Sequence, residues 1–596
     1  GIASIEEAEK ITKDAGLDVY NQVKKIQPIC FENACWAYTV GAAIAIKKGC
    51  RRAADAAAAI GEGLQAFCIP GSVADQRKVG LGHGNLGKML LEEETDCFCF
   101  LAGHESFAAA EGAIGIAEKA NKVRKKPLRV ILNGLGKDAA KIISRINGFT
   151  YVQTEYDYYT GELKEVQTLE PGETLQIAAD STLFETANRI YARPQALSAK
   201  TTVDSILRNG KTPVYPGNFE IEKTGEGFLL INELALEDYL RFVVPSEMPA
   251  SYPAEALKAQ AVCARTYAYM HMLHAGLQNY GAHVDDSAAF QVYNNIAEAS
   301  ETSEAVYETK GQMLLSGGTP VTAYFYSTSC GYGTDLTAWN LTYGDEMAAT
   351  GGYLRARNIA KGQMLSDTQN PDAHSSDAQE SAEGSKLAEE DSFATFIKTA
   401  DADSFEQEDT YYRWRYDTAL DTELLLANLQ VRYEKSPGNI RRKKGNGYVD
   451  EKPEKLGMVT GLTAVKRTTG GVMTELLIEG TEDTYRVCGE QNIRYVLAGE
   501  NTEIALSADY SKKGTINGML PSSFFVIEPV YETDDGISTE KAKEAPVVIS
   551  YTLYGGGFGH GIGMSQNAAR RMAQAGYDYK QILQFFYECS IEGVNE

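Results

Sequence analysis

Pro245, Pro249 and Pro253 punctuate the segment VVPSEMPASYPAEALKAQAVCARTYAYMHM (243–272), and a chain so interrupted cannot run as one continuous helix or as a central strand. The spacing reads as a loop that feeds a helix. Ser251 is placed to cap that helix, and Pro253 suits its first turn, where a missing N–H costs little. Ala256, Leu257, Gln260, Ala261, Ala264 and Ala268 then recur at helical spacing and form a small-residue face for close packing. Glu247 is expected just outside the helix, among Val243, Val244, Pro245, Met248 and Pro249. Apolar surroundings disfavour an ionised carboxyl, so a protonated acid near neutral pH is expected there. Taken alone, a single Glu in a loop is more often a solvated surface charge.

The chain has 596 residues, too many for one ordinary core. A formal net charge of -24 argues against nucleic acid as a partner, because phosphate binding needs a basic footprint. No apolar run reaches the roughly 18 residues of a membrane span. Residues 1–25 lack the basic start and apolar middle of a secretory signal, and the chain opens on Gly1, so upstream sequence is expected. Of ten cysteines, Cys30, Cys35, Cys50, Cys68, Cys97 and Cys99 crowd the first hundred residues. That asymmetry points to two parts of different character, the first reading as reduced and intracellular. Cys97 and Cys99 lack zinc-site spacing and read as a buried strand, and no metal is expected.

Residues 1–166 alternate helix-like pieces (Ala53–Ala66, Glu105–Val123) with strand-like ones (Cys97–Leu101, Leu128–Leu132). After Leu132, the turn Asn133–Gly136 leads toward an expected helix over Lys137–Asn147, which suits an α/β layer. That turn reads as structural, since it has neither P-loop spacing nor a complete dinucleotide fingerprint. His83 and His104 lie among glycines and small residues and read as structural. The text changes character over 167–174. A β-rich lead-in follows, with Phe228–Ile231 as one strand, in a part spanning 175–363. Residues 364–409 are rich in Asp, Glu, Ser and Ala and are expected to be a disordered insertion. In 410–596, TGLTAVKRTTGGVMTELLIEG reads as two strands about a turn, and RRKKGN (441–446) as a solvated loop.

Two resemblances sharpen this reading. QPICFENACWAYTVGAAIAIKKGC, GLQAFCIPGSVAD, FLAGHESFAAAEGAIGIA and VILNGLGKDAAKIISRINGFTYVQTE closely resemble the N-terminal half of the GGGtGRT family, whose naming signature is absent here. The first part is therefore expected to be a truncated α/β segment. SEMPASYPAEALKAQAVCARTYA, AHVDDSAAFQVYN, YFYSTSCGYGT and GGGFGHGIGMSQNAARRMAQAGYDYKQIL, in that order, resemble the stage II sporulation protein D (SpoIID) family over most of 175–596. The resulting expectation is an α+β fold: a SpoIID-like catalytic domain with a β-rich lead-in and a partly disordered acidic insertion.

The SpoIID resemblance implies a lytic transglycosylase of the cell envelope, cutting between N-acetylmuramic acid and N-acetylglucosamine in peptide-stripped glycan, with Glu247 at the position of the catalytic glutamate. It also implies groove residues: Ser246 and Arg265, then Asp285, Asp286, Gln291 and Tyr293, the last offering a ring face. Turn and capping chemistry is an equal alternative for the two aspartates. Ser327, Ser329 and Cys330 are expected at a strand end, with Cys330 a wall of the groove rather than a nucleophile. His560 and Gln566 are expected to face substrate or Glu247 from a glycine-rich run. Some family members bind zinc through a Cys/His cluster; here the AHVDDS segment offers only His283, so neither metal nor cofactor is expected. The expected partner is peptidoglycan, with a cell-wall amidase in the alternative reading, since relatives include non-cutting amidase enhancers.

Overall fold

Asn218–Thr224 and Gly227–Leu234 form an antiparallel pair, with Phe219, Ile221, Leu230, Ile231 and Leu234 buried. In the computed structural model, the described residues are chiefly 127–134, 200–224, 227–274, 280–296, 298–339, 352–364, 386–531 and 548–593; several earlier strands are described as backbone. The chain divides into two units, 1–250 with 264–311 and 593–596, and 251–263 with 312–592. Helices and mainly antiparallel sheets in both make the described architecture α+β.

In the first unit the hairpin is the middle of a seven-stranded sheet. Leu128–Ile131 pairs antiparallel with Gly227–Leu234 and parallel with the short strand Val284–Asp285. Arg129, 1% exposed, is held by Glu220 at 2.6 Å and Glu233 at 2.7 Å. Leaving any one of the three alone would strand a buried charge. Lys141–Ile146, expected as helix, is a strand, in keeping with the β-branched Ile142, Ile143 and Ile146. The strands described before it, Ile26–Phe31 with Ala34–Thr39 and Cys97–Gly103 between Ala42–Ile46 and Leu64–Pro70, pair antiparallel, unlike the parallel layering of an α/β segment. Apart from the strand that begins at Leu64, the expected helices Ala53–Ala66 and Glu105–Val123 lie outside the described residues, as do His83 and His104.

The second unit holds two five-stranded antiparallel sheets. One runs Lys512–Ile516, Thr502–Leu506, Trp414–Thr418, Val548–Gly555, Phe525–Tyr531. The other ends on the expected hairpin Val459–Arg467 with Met473–Gly480. RRKKGN is the strand Ile440–Lys444 and its turn rather than a loop, because Ile440 anchors it in the core beside Tyr485 and Val487. The acidic stretch folds over 386–409: Glu390–Lys398 is a helix whose Phe393 and Ile397 are fully buried, and Arg467 grips Glu390 at 2.6 and 2.8 Å. Residues 365–385 lie outside the described ones. Among the described residues no helix is long and apolar enough to cross a membrane.

Candidate active site

Glu247 is the last residue of the helix Leu236–Glu247. Glu237 and Asp238 favour its first turn electrostatically, and Leu236, Tyr239, Leu240, Phe242, Val243 and Val244 bury one face. The prolines suggested a loop here. Pro245 lies inside the last turn, where it cannot give the Arg241 carbonyl its helical donor, while Ser246 Oγ donates to the Phe242 carbonyl at 2.6 Å. Pro249 then forces Met248 into an extended conformation (φ -138°, ψ 130°), which stops the helix at Glu247. The carboxyl therefore sits at the negative end of a helix dipole, an unfavourable place for an anion.

Burial raises the Glu247 pKa to about 7, against the lowering effect of the Val292 amide, which donates to Oε1 at 2.6 Å. Beside it, Tyr239 is fully buried and donates to Gln291 Oε1 at 3.4 Å. Burial, then the charges of Glu247, Asp286 and Asp285, push the Tyr239 phenol well above its ordinary value. Neither Tyr239 nor the Val292 amide stood out in sequence; the tyrosine's signal is only its place on the buried face of the glutamate's helix.

Several expected groove residues are structural. Tyr293 is fully buried, with ring centroids of Tyr215, Tyr239 and Phe242 at 5.2, 5.1 and 6.2 Å, so its ring offers no face to a ligand. Gln291 is fully buried and donates to the Ala264 carbonyl at 3.3 Å. Arg265, also fully buried, grips both oxygens of Glu237 at 2.7 and 2.8 Å and donates to the Val306 carbonyl. Asp286 is buried against Asn133 and Arg208, whereas Asp285 is half-buried and accepts the Ser287 amide at 2.8 Å, a turn contact. His283 accepts the Arg129 amide at Nδ1.

In the second unit the two remaining motifs meet. Phe325–Tyr326 pairs parallel with Met564–Ser565, Thr328 bridges Phe558, and Thr334 bridges Ile562. Glycine is needed for this approach: at Gly563 (φ +76°) a Cβ would lie 2.0 Å from the Tyr324 carbonyl oxygen, so the run packs against its own neighbours. Ser327 accepts the Asn567 amide at 3.0 Å, and Gln566, 9% exposed, faces Gln260 at 3.4 Å. His560 lies half-buried among Tyr324, Tyr326 and Trp339, its Nδ1 accepting the Ile562 amide at 3.0 Å. Burial, and then the nearby Arg494 charge, lower it to about 3, so the imidazole is neutral. Burial raises the Cys330 thiol to about 11, unsuited to a thiolate nucleophile. Glu406, in the acidic stretch, carries no local motif that marks it. It is fully buried, accepts from the amide and hydroxyl of Ser329 and from Ser565 Oγ at 2.7 Å, and burial raises it to about 7.

Comparison with known families defines the class. Residues 224–315, which include Glu247 and the loop that faces it, match the stage II sporulation protein (SpoIID) family, and the chain carries a SpoIID domain there. Residues 1–179 match the GGGtGRT protein family, and 353–563 match a domain of unknown function. Among individual proteins, the chain is similar to the amidase enhancer of Bacillus subtilis (strain 168), 26% identical over 406 residues, 67% of this chain and 46% of the relative. Stage II sporulation protein D of the same bacterium is 37% identical over 123 residues, 18% of this chain and 36% of the relative. An uncharacterized protein of Brachyspira hyodysenteriae is 36% identical over 135 residues, 22% and 36% of the two chains. The chain thus spans less than half the length of these curated relatives.

Proposed function

We propose that the protein is a peptidoglycan lytic transglycosylase of the cell envelope, acting in wall remodelling or sporulation, with Glu247 as its acid and base. The observation that carries this reading is one half-buried carboxyl at a helix C-terminus, whose pKa of about 7 keeps much of it protonated at neutral pH. Glu247 donates its proton to the oxygen between N-acetylmuramic acid and N-acetylglucosamine as that bond breaks. The carboxylate so formed takes the proton of the muramic acid's 6-hydroxyl while that oxygen bonds to C1, which yields a 1,6-anhydro end and needs no water. A hydrolase would require a second carboxyl placed for water or for a covalent intermediate. The amide of Val292 stabilises the transient anion. Incubation with peptide-stripped glycan tests the reading: anhydro ends are expected from the wild type and none from Glu247→Gln, and reducing ends alone would overturn it.

The similarity to an amidase enhancer over 406 residues favours a second reading, in which the protein binds wall glycan and stimulates a partner N-acetylmuramoyl-L-alanine amidase. Stimulation of an amidase that survives Glu247→Gln, with no anhydro product from either form, identifies this case.

A further inference from the structure

The strand Leu128–Ile131 lies in the segment that matches the GGGtGRT family, yet it forms part of the sheet that contains the SpoIID strand Gly227–Leu234. Its continuation reaches the glutamate site through one carboxylate. Asn133 donates to Asp286 Oδ1 from its backbone amide at 3.2 Å and from Nδ2 at 2.8 Å. Arg208 pairs with Asp286 Oδ2 and donates to the Asn133 carbonyl at 2.6 Å. The Asp286 amide is tied to the Ile131 carbonyl at 3.1 Å, so the root of the loop 286–293 is fixed on three sides. The loop closes on itself through the Tyr293 amide and the Asp286 carbonyl at 3.2 Å, and just before that closure Val292 gives its amide to Glu247.

We propose that Asn133 and Arg208 are positioning residues for Glu247: by clamping Asp286 they hold the loop so that the Val292 N–H points at the carboxylate. The proposal rests on Glu247 being the reacting carboxyl, and it makes the end of the Leu128–Ile131 strand a working part of the SpoIID site. Their effect passes through Asp286 and the loop backbone. Loss of the amide removes a donor to the anion, so the carboxyl becomes harder to ionise and its titration moves to higher pH.

The test uses the full chain carrying Asn133→Ala, Arg208→Ala or the conservative Arg208→Lys. Hydrogen exchange of the peptide spanning 286–293 is expected to accelerate roughly tenfold in the two alanine variants and less in Arg208→Lys, because about 1.4 kcal/mol of lost protection is a tenfold change. Exchange in Gly227–Leu234 serves as the folding control and stays as in the wild type. The alkaline limb of glycan cleavage, where the acid loses its proton, is expected to move up by about half a pH unit in the alanine variants, with Arg208→Lys between them and the wild type. If Arg208→Ala loses the control protection as well, Asn133→Ala and Arg208→Lys decide. Unchanged loop exchange, or an unmoved limb in a variant whose loop is loosened, overturns the proposal. If the wild type cuts no glycan, the proposed reaction fails, while the exchange measurement still reads whether the clamp exists.

Discussion

Replacing Glu247 by Gln should make the protein more stable above neutral pH and leave it nearly unchanged in acid. The carboxyl is raised from 4.5 to about 7 in the folded chain, chiefly by burial. An acid with a raised folded pKa stabilises the fold relative to its ionised state below the unfolded value, and that contribution is lost as pH rises through the folded value. At about 1.4 kcal/mol per pKa unit the shift corresponds to roughly 3 kcal/mol, less whatever solvent reaches the half-buried side chain, so about 2 kcal/mol is expected above pH 8. Urea unfolding of wild type and Glu247→Gln at pH 4, 6 and 8.5 measures it. The difference between the two proteins should be near zero at pH 4, grow between pH 4.5 and 7.5, and favour the variant. Because Glu406 is raised to about 7 as well, only this difference isolates Glu247. Parallel pH dependences would refute the reasoning, for they would mean that Glu247 ionises as it does in the unfolded chain.

Glu406→Ala removes the acceptor of the Ser329 amide and hydroxyl and the nearer acceptor of Ser565 Oγ, and should cost roughly 2–4 kcal/mol, read as a fall in Tm. Arg265→Met should cost about 3 kcal/mol in urea unfolding by stripping Glu237 of its partner, while glycan affinity per folded molecule stays unchanged. His560 should remain neutral through pH 5, seen by imidazole nitrogen NMR; its depressed folded value means that stability it contributes above pH 6.5 is lost as the pH falls toward 3. Gly563→Ala should disrupt the Phe325–Tyr326 and Met564–Ser565 pairing, visible as lost exchange protection at both strands.

Where local pattern alone decides structure, the sequence was legible. The helix after Pro253, the hairpin about Gly470 and the apolar setting of Glu247 all emerge from spacing and side-chain type. Prolines misled at 245 and 249, because a proline in a last helical turn and one just past it mark a helix end as readily as a loop. In the acidic stretch, Phe393, Phe396 and Ile397 carry the helical spacing that composition concealed. Tyr293, Gln291 and Arg265 looked like ligand-facing groups because polar or amphipathic side chains in a motif can equally bond inward. That choice depends on Tyr215, Asn232 and Glu237, far away in the chain, which no local pattern reveals.

The order of strands in the second unit has a consequence for how the protein is made. Val548–Gly555 sits between Trp414–Thr418 and Phe525–Tyr531, and the segment after it supplies the partner of Phe325–Tyr326. A ribosome must therefore deliver residues as far as Ser565 before this unit can close its core, leaving Trp414 and its neighbours uncovered until then. Nascent chains should depend on chaperones until residues 548–565 emerge, and a truncation just before Val548 should abolish folding of this unit.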